Sequence, residues 1–261
     1  MPFFQTPDGA QIHYQFLGQS RDPHDPPLVF AHGWCSNLEH WQRQVASFSE
    51  THRTLAIDRR GHGRSTRPDG ECSPEHHAHD MAAIMLSLDL RGAVVVGHAG
   101  GGPPVLELAG RYPELVRAAV FVDAGLYRGV PAEQAALSPA VTRLQGPDYL
   151  PLFIKQYETY FHPITPLELK QRIAAEAAQT PQSVIVEELR WILRSNTIEL
   201  ASKVKQPVLW TVASESRATA AYVREHLPQA RFAQVVGAGH YLHVEVPDQW
   251  NAMLRRFIEL L

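Results

Sequence analysis

Cysteine is scarce in this chain, and that scarcity excludes one class of protein at once. Cys35 and Cys72 are the only two among 261 residues, too few for a disulfide framework. Free thiols in a reducing compartment are the expectation. Charge of one sign is also missing. The 24 Lys and Arg against 27 Asp and Glu leave a net charge of −3, which removes the electrostatic case for nucleic acid or an anionic membrane as partner. No apolar run is long enough to span a bilayer. The opening Met1-Pro2-Phe3-Phe4-Gln5-Thr6 lacks the basic start and apolar stretch of a secretory leader, so a cytoplasmic location is expected. There is no internal repeat and no low-complexity tract. No His-Glu-x-x-His pattern is present, and no cluster of Arg or Lys marks a phosphate site. His79 and Asp80 each lie one helical turn from His76, but near a helix start these groups read as capping or solvated, and no metal is expected there.

What is present is an alternation of short apolar runs with amphipathic stretches. Residues 3–6 and 11–17 read as strands joined by the turn Pro7-Asp8-Gly9. Further strands are expected at 27–31, 53–58, 93–96, 118–122, 207–212 and 232–236, with helices at 38–48, 74–88, after residue 101 and at 248–261. Such alternation implies a mostly parallel sheet covered by helices on both faces. The pattern breaks between residues 126 and 204, which are helical and rich in aromatics. Two domains are therefore expected: a core of residues 1–125 and 205–261, and a helical lid of residues 126–204 inserted after the sixth strand.

The stretch Gly97-His98-Ala99-Gly100-Gly101 lies between the expected strand at 93–96 and the helix that follows it. It has the form of a nucleophile elbow, a tight strand-to-helix turn that raises a nucleophile above the sheet and needs small residues on both sides. Its central position holds Ala99, whose methyl group cannot attack a carbonyl.

Four ordered motifs now carry a resemblance: His32-Gly33-Trp34, Asp58-Arg59-Arg60-Gly61-His62-Gly63-Arg64-Ser65, the elbow, and Gly237-Ala238-Gly239-His240. The chain resembles the α/β-hydrolase superfamily, in its lidded branch of small esterases, lactonases and C–C hydrolases. The resemblance implies the α/β-hydrolase fold and no cofactor. It implies a general base at His240 and an oxyanion hole made by the backbone N–H groups of Trp34 and Gly100. The run 58–65 shapes a turn beside the site in the family, so Arg59, Arg60 and Arg64 are expected to be solvated or locally paired. The acid usually follows the seventh strand, where this chain has Ala213-Ser214-Glu215-Ser216. The family's other solution places it after the sixth strand, where Asp123 stands. Asp123 is the expected acid, with Glu215 as the alternative and a plain turn cap as the bland reading.

Three readings compete for Ala99. The first is a serine-type hydrolase of an apolar ester or lactone, inactivated by loss of its nucleophile. The second is a small-ligand binder on the hydrolase scaffold. The third is a cofactor-free dioxygenase of the hydroxy-oxoquinoline type, similar in Gly33-Trp34-Cys35 but lacking the extra His of that group at Ser36 and at Gly100. The aromatic lid suggests a small-molecule apolar substrate, aromatic or long acyl. His32, His98, Leu126, Phe153, Tyr157 and Trp191 are the expected substrate-binding residues.

Overall fold

The computed structural model describes residues 2–20, 22, 24–67, 72–216 and 218–261. Eight strands form one sheet: β1 (Phe3–Gln5), β2 (Gln11–Leu17), β3 (Leu28–Ala31), β4 (Thr54–Ile57), β5 (Ala93–His98), β6 (Val116–Val122), β7 (Val208–Val212) and β8 (Ala230–Gln234). Their spatial order is β1-β2-β4-β3-β5-β6-β7-β8. β1, β2 and β4 pair antiparallel, and every pairing from β4 to β8 is parallel. Every residue of β3, β4, β5 and β7 is buried, the mark of parallel strands covered on both faces.

Strand alternation divides the core. Val29, Ala31, Val95 and Phe121 face one side, where helices α2 (Pro74–Ser87) and α3 (Gly102–Arg111) pack. Leu28, Phe30, Val96 and Val120 face the other, against helices α1 (Gln42–Phe48) and α11 (Pro247–Ile258). Five helices stand between β6 and β7: α4 (Pro131–Gln145), α5 (Tyr149–Glu158), α6 (Leu167–Ala177), α7 (Gln182–Arg194) and α8 (Thr197–Lys203). Phe153, Tyr157, Phe161, Ile173 and Ile185 make a third apolar cluster there, which takes in Cys35 and Tyr241 of the sheet side. Two short helices, α9 (Ala220–His226) and α10 (Leu242–Glu245), complete the order. Among the described residues no helix is long and apolar enough to cross a membrane.

The chain runs from β3 to β4 on one side, then crosses back to β5 on the other side of β3. Ligands of open α/β sheets bind at such a switch point, outside the carboxyl ends of the strands. Cys35, Ala99 and Asp123 lie just past the carboxyl ends of β3, β5 and β6, and all three have positive φ, at 53°, 46° and 45°. Left-handed backbone at a non-glycine residue costs about 1–3 kcal/mol and persists where surrounding structure holds it. Asp89, before β5, is the fourth such residue among those described, with φ of 51°, so three of the four gather at the carboxyl end of the sheet.

Candidate active site

The elbow is built as a tight strand-to-helix turn. A Cβ on Gly97 would sit 2.5 Å from Gly101 O, and one on Gly101 would sit 2.6 Å from His32 O and 2.7 Å from Ala31 O. These are backbone atoms, so any side chain at either position would push β3 or the turn itself. Gly102 N donates to Ala99 O, and α3 then opens with Pro103-Pro104, whose missing N–H groups fall where a helix has no acceptor for them. The opening amides of the turn, Gly100 among them, likewise have no acceptor within it. Trp34 N lies 3.0 Å from the point where a Gly100 Cβ would stand, which brings the two amides expected to hold an oxyanion to one place.

Strand register brings the elbow and the expected acid together. His98 pairs with Val122 across β5 and β6, so Ala99 and Asp123 leave the sheet side by side. His240 follows β8, and its Nδ1 lies 2.7 Å from Asp123 Oδ2. A carboxylate only accepts, so Nδ1 donates this bond. Asp123 Oδ1 accepts from Ala213 N at 3.1 Å, and His240 N donates to Tyr160 O at 2.7 Å. Glu215, the alternative acid, is exposed, and the carboxylate bonded to His240 is that of Asp123. His98 Nε2 donates to His240 O at 2.9 Å, and the two rings are 4.7 Å apart. Burial, and then the neighbouring His243 and His240, hold His98 neutral, with its pKa well below the ordinary histidine value.

A cleft of about 150 Å³ lies over these groups. Its wall includes Ala99, Gly100, Asp123, His98, His240, Trp34, Tyr127, Tyr157, Tyr160, Tyr241 and Ile192, with no Lys or Arg among the described residues. Of the residues expected to bind substrate, His98 and Tyr157 line it. Four do not. Trp191 lines a separate, open groove on the far side of α7 with Arg190 and Arg194, because one residue along a helix turns the side chain about 100° and Ile192 takes the inward place. Leu126 packs into the core under the sheet. Phe153 stands behind Trp34, edge-on at 5.5 Å between ring centroids. His32 is buried; its Nε2 accepts from Arg59 N at 2.9 Å, so its Nδ1 donates to Gly33 O at 2.8 Å.

Other expectations resolve locally. Cys35 and Cys72 are free and buried, and burial pushes the Cys72 thiol up to about 12, so neither offers a ready thiolate. Arg59 and Arg60 are buried, not solvated. Arg59 pairs with Glu188, and Arg60 pairs with Asp80 at 2.8 Å and with Asp8 at 2.5 Å. His76 Nδ1 meets Ser73 Oγ at 2.7 Å, and His79 Nδ1 meets Tyr112 OH at 2.6 Å. Tyr127, Tyr160, Ile192 and Tyr241 line the cleft without having been among the expected substrate-binding residues, although Tyr241 adjoins His240. Tyr157 OH donates to Trp34 O at 2.7 Å, so Tyr241 OH, 2.6 Å away, donates to Tyr157.

Residues 26–247 match the family model described as alpha/beta hydrolase fold. The chain is 43% identical over 122 residues to a non-heme chloroperoxidase of Streptomyces lividans, a match covering 46% of this chain and 43% of that protein. The chain thus spans less than half the length of that relative. It is 28% identical over 250 residues to a 2-(acetamidomethylene)succinate hydrolase of Mesorhizobium japonicum, covering 90% of this chain and 88% of the relative. The structure of the enol-lactonase from Burkholderia xenovorans LB400 superposes with a TM-score of 0.85 at 20% identity, over 99% of this chain and 100% of that one, a likeness of fold alone. With an eight-stranded sheet of this order and a family match over most of its length, the chain belongs to the α/β-hydrolase fold family.

Proposed function

We propose that the cleft is the active site of a serine-type hydrolase for a small apolar ester or lactone, with the nucleophile position occupied by Ala99. The observation that carries this reading is the His240–Asp123 pair at 2.7 Å beside a strained elbow. The hydrolase relative from Mesorhizobium japonicum supports the reaction class. Residues 126–204 act as the cap that walls the cleft, through Tyr127, Tyr157, Tyr160 and Ile192. A volume of about 150 Å³ suits an acyl or aryl group near the size of benzene, and is too small for the whole of the long acyl chain that the aromatic lid also suggests.

With serine at position 99, the hydroxyl attacks the carbonyl while His240 Nε2 takes its proton. Asp123 orients the ring and stabilises the imidazolium. The amides of Trp34 and Gly100 hold the oxygen that becomes negative. His240 then protonates the leaving alcohol, and a water, deprotonated by His240 in its turn, releases the acid. With Ala99 in place the first bond cannot form. The chain binds its ligand and turns it over only as far as binding and oxyanion stabilisation allow.

The test is mass spectrometry of Ala99→Ser treated with a fluorophosphonate, beside the unaltered chain. Single labelling at position 99 of the variant, absent from the parent, is the expected result. A folded variant that takes no label overturns the serine-hydrolase reading. In that case the base pair without a nucleophile favours proton abstraction, and oxygen uptake with carbon monoxide release from a hydroxyquinolone distinguishes a dioxygenase from a binder.

A further inference from the structure

Arg59 lies in a run that the fold explains only as a turn, yet it is 2% exposed and all its side-chain bonds go to two places. Its Nε donates to His32 O and its Nη2 to Gly33 O, both at 2.8 Å. Its Nη1 donates to Glu188 of α7, which is 3% exposed. His62 Nε2 stands 2.8 Å from the other oxygen of Glu188. Burial works against charge on Glu188, but Arg59, and then His62, hold its carboxyl well below the usual carboxylate range.

Gly33 C=O and Trp34 N–H belong to one peptide unit. That unit is planar, and among the described residues no peptide bond is cis, so the two groups point in opposite directions. Gly33 O accepts from Arg59 Nη2 and from His32 Nδ1, both at 2.8 Å, and from Ser36 N at 3.3 Å. Arg59 is the donor among them that reaches α7, and holding Gly33 O sets the direction of Trp34 N–H, whose nitrogen lies 3.0 Å from where a Gly100 Cβ would stand. The rest of Trp34 is also held from the helical insertion. Its indole Nε1 donates to Ile185 O of α7 at 3.0 Å, and its carbonyl accepts from Tyr157 of α5 at 2.7 Å.

We propose that Glu188 and Arg59 form a buried latch that sets the direction of the Trp34 amide, making both positioning residues for the oxyanion hole. The proposal rests on the reading of Trp34 as an oxyanion donor. It makes the insertion a structural part of the catalytic centre as well as its cover. α7 holds Arg59, Arg59 holds the Gly33–Trp34 peptide, and that peptide presents the donor.

Two readouts test it. In the unaltered elbow, the Trp34 amide resonance in a nitrogen–proton correlation spectrum reports the peptide plane. Arg59→Lys keeps a cation but loses the fork that spans Gly33 O and Glu188. Glu188→Gln keeps the shape and removes the charge. Each is expected to shift and broaden the Trp34 amide while the Val95 and Val120 amides stay in place. In the Ala99→Ser background, Arg59→Lys is expected to slow fluorophosphonate labelling about tenfold at an unchanged half-saturating concentration. That is part of the roughly 100- to 1000-fold that one oxyanion donor supplies. Removing one partner strands a buried charge, so Arg59→Met with Glu188→Leu serves as the second variant, because an apolar pair of similar volume keeps the fold. It is expected to show the same displaced Trp34 amide. An unmoved Trp34 amide in a folded variant overturns the latch, as does labelling at the parent rate. If Ala99→Ser takes no label at all, the hydrolase reading fails by itself and the Trp34 amide still decides the latch.

Discussion

Ala99 keeps the left-handed backbone of an elbow, with φ of 46°, while carrying only a methyl group. Asp123 shares that conformation at 45° and lies 2.7 Å from His240. Asparagine tolerates left-handed backbone, so Asp123→Asn removes the charge and leaves the turn intact. In the Ala99→Ser background this change is expected to lower the labelling rate by roughly three to four orders of magnitude, because the histidine loses its orienting carboxylate. Glu215→Gln is expected to leave it unchanged. Labelling rates for the two variants, measured side by side, separate the two acids. Gly101 tests packing at the same turn. Its Cβ would meet His32 O at 2.6 Å, a rigid backbone atom. Gly101→Ala is expected to cost about 1–3 kcal/mol by urea unfolding, the usual penalty of overpacking. A loss near zero would mean that β3 and the elbow yield more easily than their contacts indicate.

At the scale of elements, the helical insertion is tied to the sheet on both sides of the cleft. Glu245, in α10, is one of the ties. Its Oε1 accepts from Gly239 N and its Oε2 from His162 N, both at 3.0 Å, and Thr165 Oγ1 also donates to it. The loop that carries His240 is thereby fastened to the segment after α5, and His240 N donates to Tyr160 O beside it. Glu245→Ala leaves those amides without their charged acceptor, at a cost of about 1.5–3 kcal/mol. Hydrogen exchange is expected to quicken in residues 160–165 and 239–245 together. Faster exchange in one segment alone would show that the two are not held as a unit.

Across the whole molecule, four imidazoles are kept neutral by burial. His32, His77, His98 and His243 are at most 2% exposed, and burial is the largest of the causes that hold each well below the ordinary value of 6.5. Once unfolded, all four take up protons as pH falls past about 6.5. The unfolded state then binds more protons than the folded one, so stability is complete above that pH and declines below it, by up to about 1.4 kcal/mol per histidine per pH unit. Glu188 adds to the loss at lower pH, since its depressed pKa favours the folded state only while the unfolded carboxyl is ionised. The thermal midpoint is expected to drop steeply between about pH 7 and about pH 5. A flat profile over that range would contradict neutral burial of the four rings.

The strands, the elbow and the place of the helical insertion were legible in the sequence because their signals are local. A continuous apolar run such as Ala93-Val94-Val95-Val96 can only be covered on both faces, and Gly97 and Gly101 mark where backbones must approach. Two choices had no local signal. Asp123 and Glu215 both follow strands, and which one meets His240, 117 residues away from Asp123, was set by the register of β5, β6 and β7. Trp191 and Ile192 are neighbours on α7, and which faces the cleft depends on the rotation of that helix, fixed by packing and by the buried Glu188–Arg59 pair. Sequence by itself determined the elements and the chemical groups available, because hydrophobic period and backbone sterics act over a few residues. Only the tertiary structure decided which of those groups meet, because contact between distant residues is set by register and helix rotation, and these are properties of the packed whole.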